Sequence, residues 1–156
     1  MAIAPKVLEY LTGENASFET VAHPKTFSSR ETADAAHIFD DHLAKGVVLK
    51  DHEGYLLVVI PASEWISIHQ LKDELDRDLQ LATENEIERL FADCLPGAVP
   101  PMGEAYGIET IVDEALISLS KVYFEAGDHE QLILVNSEQF HALIKGQRHG
   151  FFCEQK

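Results

Sequence analysis

The sequence has few cysteines, few basic residues and no long hydrophobic run, and each shortage excludes a class of protein. Its two cysteines, Cys94 and Cys153, lie far apart and outside any CxxC spacing, which argues against a disulfide framework and a thiolate zinc site. The longest apolar stretch, Tyr55 to Ala62, is far shorter than the roughly 20 residues that a membrane span needs. Met1 to Thr12 lacks the layout of a signal peptide. We therefore expect a soluble, cytoplasmic protein with no membrane partner.

The charge balance is strongly acidic. The 156 residues contain 12 Lys and Arg against 27 Asp and Glu, which gives a net charge of −15. A field of this sign repels polyanions at long range, so we do not expect broad electrostatic binding along duplex nucleic acid. A small basic pocket that holds one terminal phosphate, or a helper protein that delivers the nucleic acid, remains compatible with this charge. The eight histidines form no HxH or HExxH spacing, so we expect neither a metal ion nor another cofactor.

The chain length predicts a single domain over residues 1–156, in which strands and helices alternate without a regular βαβ period. The strongest pattern is a hairpin from Lys45 to Ile60, whose two apolar arms predict strands buried on both faces inside one sheet. We predict an α+β fold, with a mixed, mostly antiparallel sheet and flanking helices. The segment 147–156 either docks on the domain or forms a loose tail. Further strands are predicted at 17–22, 110–112, 121–124 and 131–135, and helices at 5–11, 28–38, 67–75, 83–91 and 136–144. Capping boxes are predicted at Ser28 with Glu31 and at Thr83 with Glu86.

The loop from Gly97 to Gly103 is the most informative motif. Pro100 and Pro101 fix two successive φ values and remove two N–H donors, so the free donors are concentrated at Gly97, Ala98 and Val99. Rigid N–H groups beside glycine are what an ester hydrolase needs to stabilise an oxyanion. A proline-stiffened surface turn explains the same composition.

Four other residues are candidates with equally simple structural explanations. Lys50 ends the buried run of the first hairpin arm, where its ammonium group either holds a phosphate or is solvated. His129 follows a strand in a glycine-containing turn, and His23 stands before a proline at a strand exit; each either lines a pocket or faces solvent. Cys94 is either a nucleophile or a small buried residue.

Taken together, these motifs resemble the YbaK/EbsC and prolyl-tRNA synthetase editing-domain family. The matching segments are Val47-Val48-Leu49-Lys50, Gly97-Ala98-Val99-Pro100-Pro101-Met102-Gly103, Ile111-Val112-Asp113 and Ala126-Gly127-Asp128-His129. The resemblance implies a mixed α+β fold and metal-independent hydrolysis of the ester that joins a wrong amino acid to the terminal adenosine of transfer RNA. It also implies that such proteins work as inserted domains or as free-standing enzymes acting in trans.

The resemblance also implies roles for individual residues. Lys50 would be the essential lysine that engages the terminal phosphate, and the backbone of Gly97, Ala98 and Val99 would hold the ester. His129 would shape the amino-acid pocket. The other substrate-binding positions on this reading are His23, Ser29, Pro100, Pro101 and Gly127. Some members of the family rely on the 2′-hydroxyl of the substrate and a water, so a protein general base is not required.

Three functions fit these observations. The first is a free-standing aminoacyl-tRNA deacylase whose partners are the acceptor end and a synthetase or elongation factor that delivers it. The second is a non-catalytic module that binds an aminoacylated acceptor end or a small nucleotide-like ligand. The third is hydrolysis of another small acyl ester by the same loop. The sequence does not name the amino acid, the transfer RNA or the oligomeric state.

Overall fold

The structure, a computed structural model, describes residues 3–24, 26, 29–95 and 98–154. Its helices are Pro5–Gly13 (α1), Ser29–Ala35 (α2), Ile68–Leu75 (α3), Glu84–Leu90 (α4), Glu114–Ile117 (α5) and Ser137–Leu143 (α6). Its strands are Glu19–Ala22 (β1), Leu43–Asp51 (β2), Gly54–Pro61 (β3), Gln80–Leu81 (β4), Glu109–Asp113 (β5), Lys121–Glu125 (β6), Gln131–Asn136 (β7) and Arg148–Gly150 (β8). Short 3₁₀ turns occupy Asp40–His42 and Gly103–Tyr106. None of the helices in these ranges is long and apolar enough to cross a membrane.

The strands form one mixed sheet in the order β1-β7-β6-β2-β3-β5-β8, with β4 paired to β2 beside the end of that strand. The pairs β1/β7, β6/β7, β2/β3 and β2/β4 are antiparallel, whereas β2/β6, β3/β5 and β5/β8 are parallel. The predicted α+β fold with a mixed, mostly antiparallel sheet is therefore confirmed. The predicted hairpin is also confirmed: β2 and β3 pair from Ala44↔Pro61 to Asp51↔Gly54 in the middle of the sheet.

Local signals in the sequence account for several element boundaries. The side chain of Ser67 caps α3, and Asn136 caps α6 by accepting the N–H of Gln139. Thr83 and Glu86 form the predicted capping box at the start of α4. The other predicted capping box includes Ser28, which lies outside the described residues.

Each face of the sheet carries its own core because successive strand residues point to opposite sides. One face holds the largest apolar cluster, which α1 and α6 cover. The opposite face holds two smaller clusters, one around Leu49 and Leu71 and one around Leu43 and Tyr123. Glu125, which is considered below, lies on this second face, because it alternates along β6 with Phe124 of the main core.

The C-terminal segment docks on the domain as far as residue 154. Strand β8 pairs with β5, and Phe152 is fully buried with its N–H donated to Asp113 Oδ2 at 2.8 Å. The burial of Phe152 gives the physical reason for this docking, since it removes a large apolar side chain from water.

Candidate active site

The structure does not bring Lys50 together with the other predicted site residues. Lys50 lies near the end of β2, and its Nζ donates to Glu86 Oε1 on α4 at 2.7 Å. The Tyr55 hydroxyl donates to Glu86 Oε2 at 2.8 Å, and the Thr83 N–H donates to Oε1 at 2.9 Å. These bonds, with that of Lys50 first, lower the pKa of Glu86 from 4.5 to about 2. Lys50 thus belongs to an ion pair that ties the hairpin to α4.

A group of buried polar side chains lies beside the opposite end of β2, and we call it the polar cluster. None of its members exposes more than 7% of its surface. They are His23, Thr26, Thr32, Glu125, Asp128 and His129. Burial of polar side chains costs free energy and is uncommon. The polar cluster is therefore the strongest candidate for a functional site in the described part of the chain.

Hydrogen bonds connect the strand end to helix α2 within the polar cluster. The Thr32 hydroxyl donates to Glu125 Oε1 at 2.9 Å and shares a hydrogen bond of 2.5 Å with the Thr26 hydroxyl. The His23 N–H donates to the Glu130 carbonyl at 2.9 Å, which fixes the exit of β1 against the turn after β6. The polar cluster is therefore held from three separate parts of the chain.

Burial raises the pKa of the Glu125 carboxyl above its ordinary value of 4.5. The hydrogen bond from Thr32 and the charges of His129 and His23 act in the opposite direction, and the charge of Asp128 adds to the increase. Glu125 therefore holds a proton at higher pH than an exposed carboxyl does, which is the kind of perturbation found at functional sites.

Several buried atoms of the polar cluster have no hydrogen-bonding partner among the described residues. They are Nε2 of His23, Oε2 of Glu125 and Oδ2 of Asp128. Leaving such an atom unsatisfied costs about 1–3 kcal/mol, so a folded protein rarely keeps several side by side for stability alone. Together they offer two carboxylate oxygens and one ring nitrogen to a ligand with polar groups of its own.

The turn after β6 positions three members of the site by an unusual backbone path. Gly127 has φ +104° and His129 has φ +60°, and a positive φ is uncommon for a residue with a side chain. Asp128 Oδ1 stabilises the turn by accepting the N–H groups of Glu130 and Gln131, each at 2.9 Å. A Cβ at Gly127 would lie 2.9 Å from Ala4 Cβ, so this position requires glycine.

The loop from Gly97 to Gly103, which we call the proline loop, and Leu95 just before it contact this same end of the sheet. The Leu95 N–H donates to the Gly127 carbonyl at 2.8 Å, and a Cβ built at Gly46 of β2 would lie 3.7 Å from Pro101 Cα. Pro100 and Pro101 are both buried. Pro101 therefore packs on the face of the sheet that carries the main core, a role that differs from direct contact with a substrate.

The donors that the sequence predicts in this loop are not all free. The Ala98 N–H donates to the Leu95 carbonyl at 3.0 Å, and Ala98 is fully buried, so it does not offer an N–H to a ligand. Val99 is half-buried against the main core. Gly97 lies outside the described residues. Only the backbone position of Ser29, at the start of α2, is described.

The thiol of Cys94 is an unsuitable nucleophile. It lies 3.3 Å from the Tyr106 hydroxyl, and burial raises the pKa of the Cys94 thiol to about 12. A thiol of this pKa stays protonated near neutral pH, whereas the nucleophile in cysteine chemistry is the thiolate. The structure therefore favours the second interpretation of Cys94, a small packed side chain.

Among the residues that the structure describes, Lys45 is a lysine that the strand register places beside Glu125 of the polar cluster. The parallel register Leu43↔Tyr123 and Ala44↔Phe124 makes Lys45 and Glu125 the next positions along β2 and β6. Because side chains alternate along a strand, both lie on the face that carries Leu43 and Tyr123. Lys45 and Lys50 are five positions apart, or roughly 17 Å at about 3.3 Å per residue, and point to opposite faces.

The sequence therefore predicts only part of the candidate site. The structure brings together His23, Gly127, His129 and the proline loop near the start of β2. It adds Glu125, Asp128, Thr32 and Lys45, which the sequence-based set lacks. A signal for Lys45 was present, because it interrupts the apolar positions Leu43, Val47 and Leu49 on one face of a buried strand. No cluster of three or more metal-ligating side chains occurs in the described ranges.

Comparison with solved structures shows the same fold in other proteins. One structure, of a candidate trans-editing enzyme for prolyl-tRNA synthetase, is 21% identical, has a TM-score of 0.84, and the match covers 97% of each chain. A hypothetical protein is 24% identical over 96% of this chain and 99% of that chain, with a TM-score of 0.83. A candidate signal transduction protein from Marinobacter aquaeolei is 22% identical with a TM-score of 0.79, and the match covers 96% of this chain and 30% of that longer one.

Sequence comparison is more specific about the family. No curated protein matches this sequence. The family model of the aminoacyl-tRNA editing domain matches residues 23–143, which is most of the chain and runs from His23 of the polar cluster through helix α6. The match contains Lys45, the proline loop, Glu125 and His129, and so the whole of the candidate site. The chain therefore belongs to the aminoacyl-tRNA editing domain family.

Proposed function

We propose that this protein is a free-standing, metal-independent deacylase that hydrolyses the ester between a mischarged amino acid and the terminal adenosine of transfer RNA. The observation that carries the proposal is the polar cluster, in a chain of the editing family. It holds buried atoms without partners among the described residues, and one of them belongs to Glu125, the neighbour of Lys45. A site built for an aminoacyl ester needs a cation for developing negative charge and acceptors for an amino group. Lys45 and the carboxylates of Glu125 and Asp128 supply both.

In the proposed reaction, a water oxygen forms a bond to the ester carbonyl carbon and the bond from that carbon to the ribose oxygen breaks. The proton released by the water passes to the departing ribose oxygen, and the neighbouring 2′-hydroxyl of the substrate is in position to relay it. The Lys45 ammonium stabilises the negative charge that develops at the ester or holds the terminal phosphate. Gly97 and Val99 keep the predicted role of oxyanion donors, whereas the bonded Ala98 N–H does not.

The free oxygens of the polar cluster are suited to the α-ammonium group of the bound amino acid. Glu125 Oε2 and Asp128 Oδ2 each lack a partner among the described residues, and an ammonium group donates up to three hydrogen bonds. The site would therefore distinguish a free aminoacyl group from one whose nitrogen is acylated. His129 and His23, at the same cluster, would shape the space left for the side chain.

The negative charge of the chain bears on how transfer RNA would be bound. A net charge of −15 gives little long-range attraction for transfer RNA, so the affinity has to come from a local site or from a carrier. We propose that a synthetase or an elongation factor delivers the aminoacylated acceptor end. Addition of the correct carrier would then lower the KM of deacylation and leave the hydrolysis step itself unchanged.

The test is single-turnover deacylation of a panel of mischarged transfer RNAs by the wild type, Lys45→Ala and Lys50→Ala, with and without a chelator. We expect hydrolysis of at least one substrate, a loss of about 100-fold or more in Lys45→Ala, and a change of about threefold or less in Lys50→Ala. The chelator should have no effect. The N-acetylated form of the best substrate should react far more slowly, because it cannot present an ammonium group.

The two lysines lie on the same strand, so each variant is the control for the other. The opposite pattern of activities in the two variants would contradict the assignment of Lys45. If Lys50→Ala is inactive and Lys45→Ala is active, the site lies at the Glu86 end and the present assignment is wrong. If the wild type hydrolyses no substrate on the panel, the protein is not a deacylase. Binding of an aminoacylated acceptor end without turnover would then identify the non-catalytic module.

A further inference from the structure

Trp65 is a large aromatic side chain that the fold holds in an exposed position. Trp65 is 67% exposed, although contacts with the C-terminal segment hold its backbone in place. The Trp65 carbonyl accepts the Glu154 N–H at 2.8 Å, and the following residue, Ile66, forms an isolated bridge with Cys153. Packing of the indole therefore does not explain why this segment is ordered.

The indole lies next to the lysine of the candidate site. Lys45 Nζ is 5.5 Å from the centroid of the Trp65 ring, within the range of a cation–π contact. Lys45 is in turn the neighbour of Glu125 on the adjacent strand. The exposed ring is thus separated from the polar cluster by a single side chain, at the outer margin of the candidate site.

The negative charge of the protein favours a ligand whose binding to the ring does not depend on long-range electrostatic attraction. A chain with a net charge of −15 gains little from contacts to a run of phosphates, whereas stacking of a base on an aromatic ring depends weakly on charge. The acceptor end of transfer RNA is single-stranded, so its terminal bases present free faces for stacking. A ring with most of its surface exposed and a cation beside it is typical of such stacking platforms.

We propose that Trp65 is the stacking platform for the terminal nucleobase of the acceptor end. The stacked base would hold the ribose and its ester over Lys45 and the polar cluster. This inference rests on the proposed function, since it assigns the nucleic-acid contact of the same site. It identifies a binding residue outside the motifs of the proline loop and the histidines.

The chain contains one tryptophan, so its fluorescence reports on this position alone. Titration of the wild type with the trinucleotide CCA should quench the emission in a saturable way, and the dinucleotide CC should quench it much less. The quench should depend weakly on salt between 50 and 200 mM, because a stack releases few counterions (about one or none). Absence of quenching by CCA, or equal quenching by CC, would overturn the assignment of the terminal base.

The second measurement is deacylation by Trp65→Ala and Trp65→Phe, with Leu81→Ala as the control. Leu81 is also exposed, but it pairs with Leu49 towards the opposite end of β2. Loss of the stack should raise the KM of Trp65→Ala by about 10- to 100-fold with little change in kcat. Trp65→Phe should retain most of the affinity, and Leu81→Ala should behave as the wild type.

The outcomes separate this inference from the proposed function. A wild type that deacylates, together with an unchanged KM in Trp65→Ala, would refute the stacking role and leave the deacylase intact. A wild type that deacylates nothing would refute the proposed function, and the CCA titration would then decide the stacking role on its own. An effect of Trp65→Ala seen only with a carrier protein present would identify a protein contact and overturn the inference.

Discussion

The two ends of strand β2 carry the same residue type in opposite physical settings. At one end, Lys50 and Tyr55 both bond to Glu86, and every group in that contact has a partner. At the other end, Lys45 lies beside Glu125, whose Oε2 has no partner in the described part of the chain. The first arrangement is complete in the folded protein, and the second leaves hydrogen-bonding capacity for a ligand.

The pKa values of the two glutamates show the same difference. Bonds from Lys50, Thr83 and Tyr55 lower the pKa of Glu86 to about 2, whereas burial raises the pKa of Glu125. A satisfied carboxylate stabilises the fold above its pKa, and an incompletely satisfied buried carboxylate costs stability when it is ionised. A charged residue near a strand end therefore indicates a binding site only when its partners in the fold are known.

The largest expected effect on stability comes from the glycine that shapes the candidate site. Gly127→Ala places a Cβ 2.9 Å from Ala4 Cβ and 3.2 Å from Cys94 Sγ at a φ of +104°. We expect a loss of about 2–4 kcal/mol in the free energy of unfolding, measured by urea denaturation.

Gly54 is the matched control for this change at the other end of the strand. It also has a positive φ, +133°, but a Cβ there would meet no atom within 4 Å. Gly54→Ala should therefore cost about 1–2 kcal/mol, from backbone strain alone. Equal losses in the two variants would show that the close packing around Gly127 has no energetic weight.

The next effect concerns the buried carboxyl of Glu125. Because its pKa is raised in the folded protein, its favourable contribution is fully present below the ordinary pKa of 4.5 and is lost as the pH rises through the folded value. Glu125→Gln keeps an oxygen for the Thr32 hydroxyl and removes the charge. As the pH rises from 4 to 8, the thermal midpoint of the variant should therefore increase relative to that of the wild type. A difference between the two midpoints that does not change with pH would contradict the burial argument.

Glu86 should show the opposite dependence on pH. Its pKa is lowered to about 2, so the stability that it contributes is present above pH 4.5 and is lost as the pH falls from 4.5 to 2. The thermal midpoint of the wild type should fall towards that of Glu86→Gln across this window. If the thermal midpoints of the wild type and Glu86→Gln instead differ by a constant amount across this pH range, the pKa of Glu86 is not lowered and the prediction is wrong.

The smallest effect is expected for Lys50→Met, which keeps the aliphatic part of the side chain and removes the ammonium group. Glu86 retains the Tyr55 hydroxyl and the Thr83 N–H, so the thermal midpoint at pH 7 should fall by about 2 °C or less. Calorimetry of the variant beside the wild type measures this. A much larger fall would mean that the ion pair, and not the hydrogen bonds around it, holds α4 on the hairpin.

The sequence predicts the hairpin strands and the N-terminal caps of the helices well. The hairpin arms carry apolar residues on both faces, and both arms lie inside the sheet, where each face can be covered. Thr83 with Glu86, and Ser67, place helix starts through bonds that span only three residues. The order of the strands in the sheet does not follow from local sequence patterns, because the parallel pairs β2/β6 and β3/β5 join segments that are distant along the chain.

The class of fold and the turn segments near the site follow from the sequence, because composition, periodicity and turn residues act locally, and the resemblance of the motifs indicates the family. Which lysine faces those segments depends on the tertiary structure. Lys45 and Lys50 stand on the same strand, and the register Ala44↔Phe124 places the first beside Glu125 while the ion pair with Glu86 occupies the second. The physical reason is that strand register and side-chain burial are set by partners far away in the chain, which no local pattern specifies.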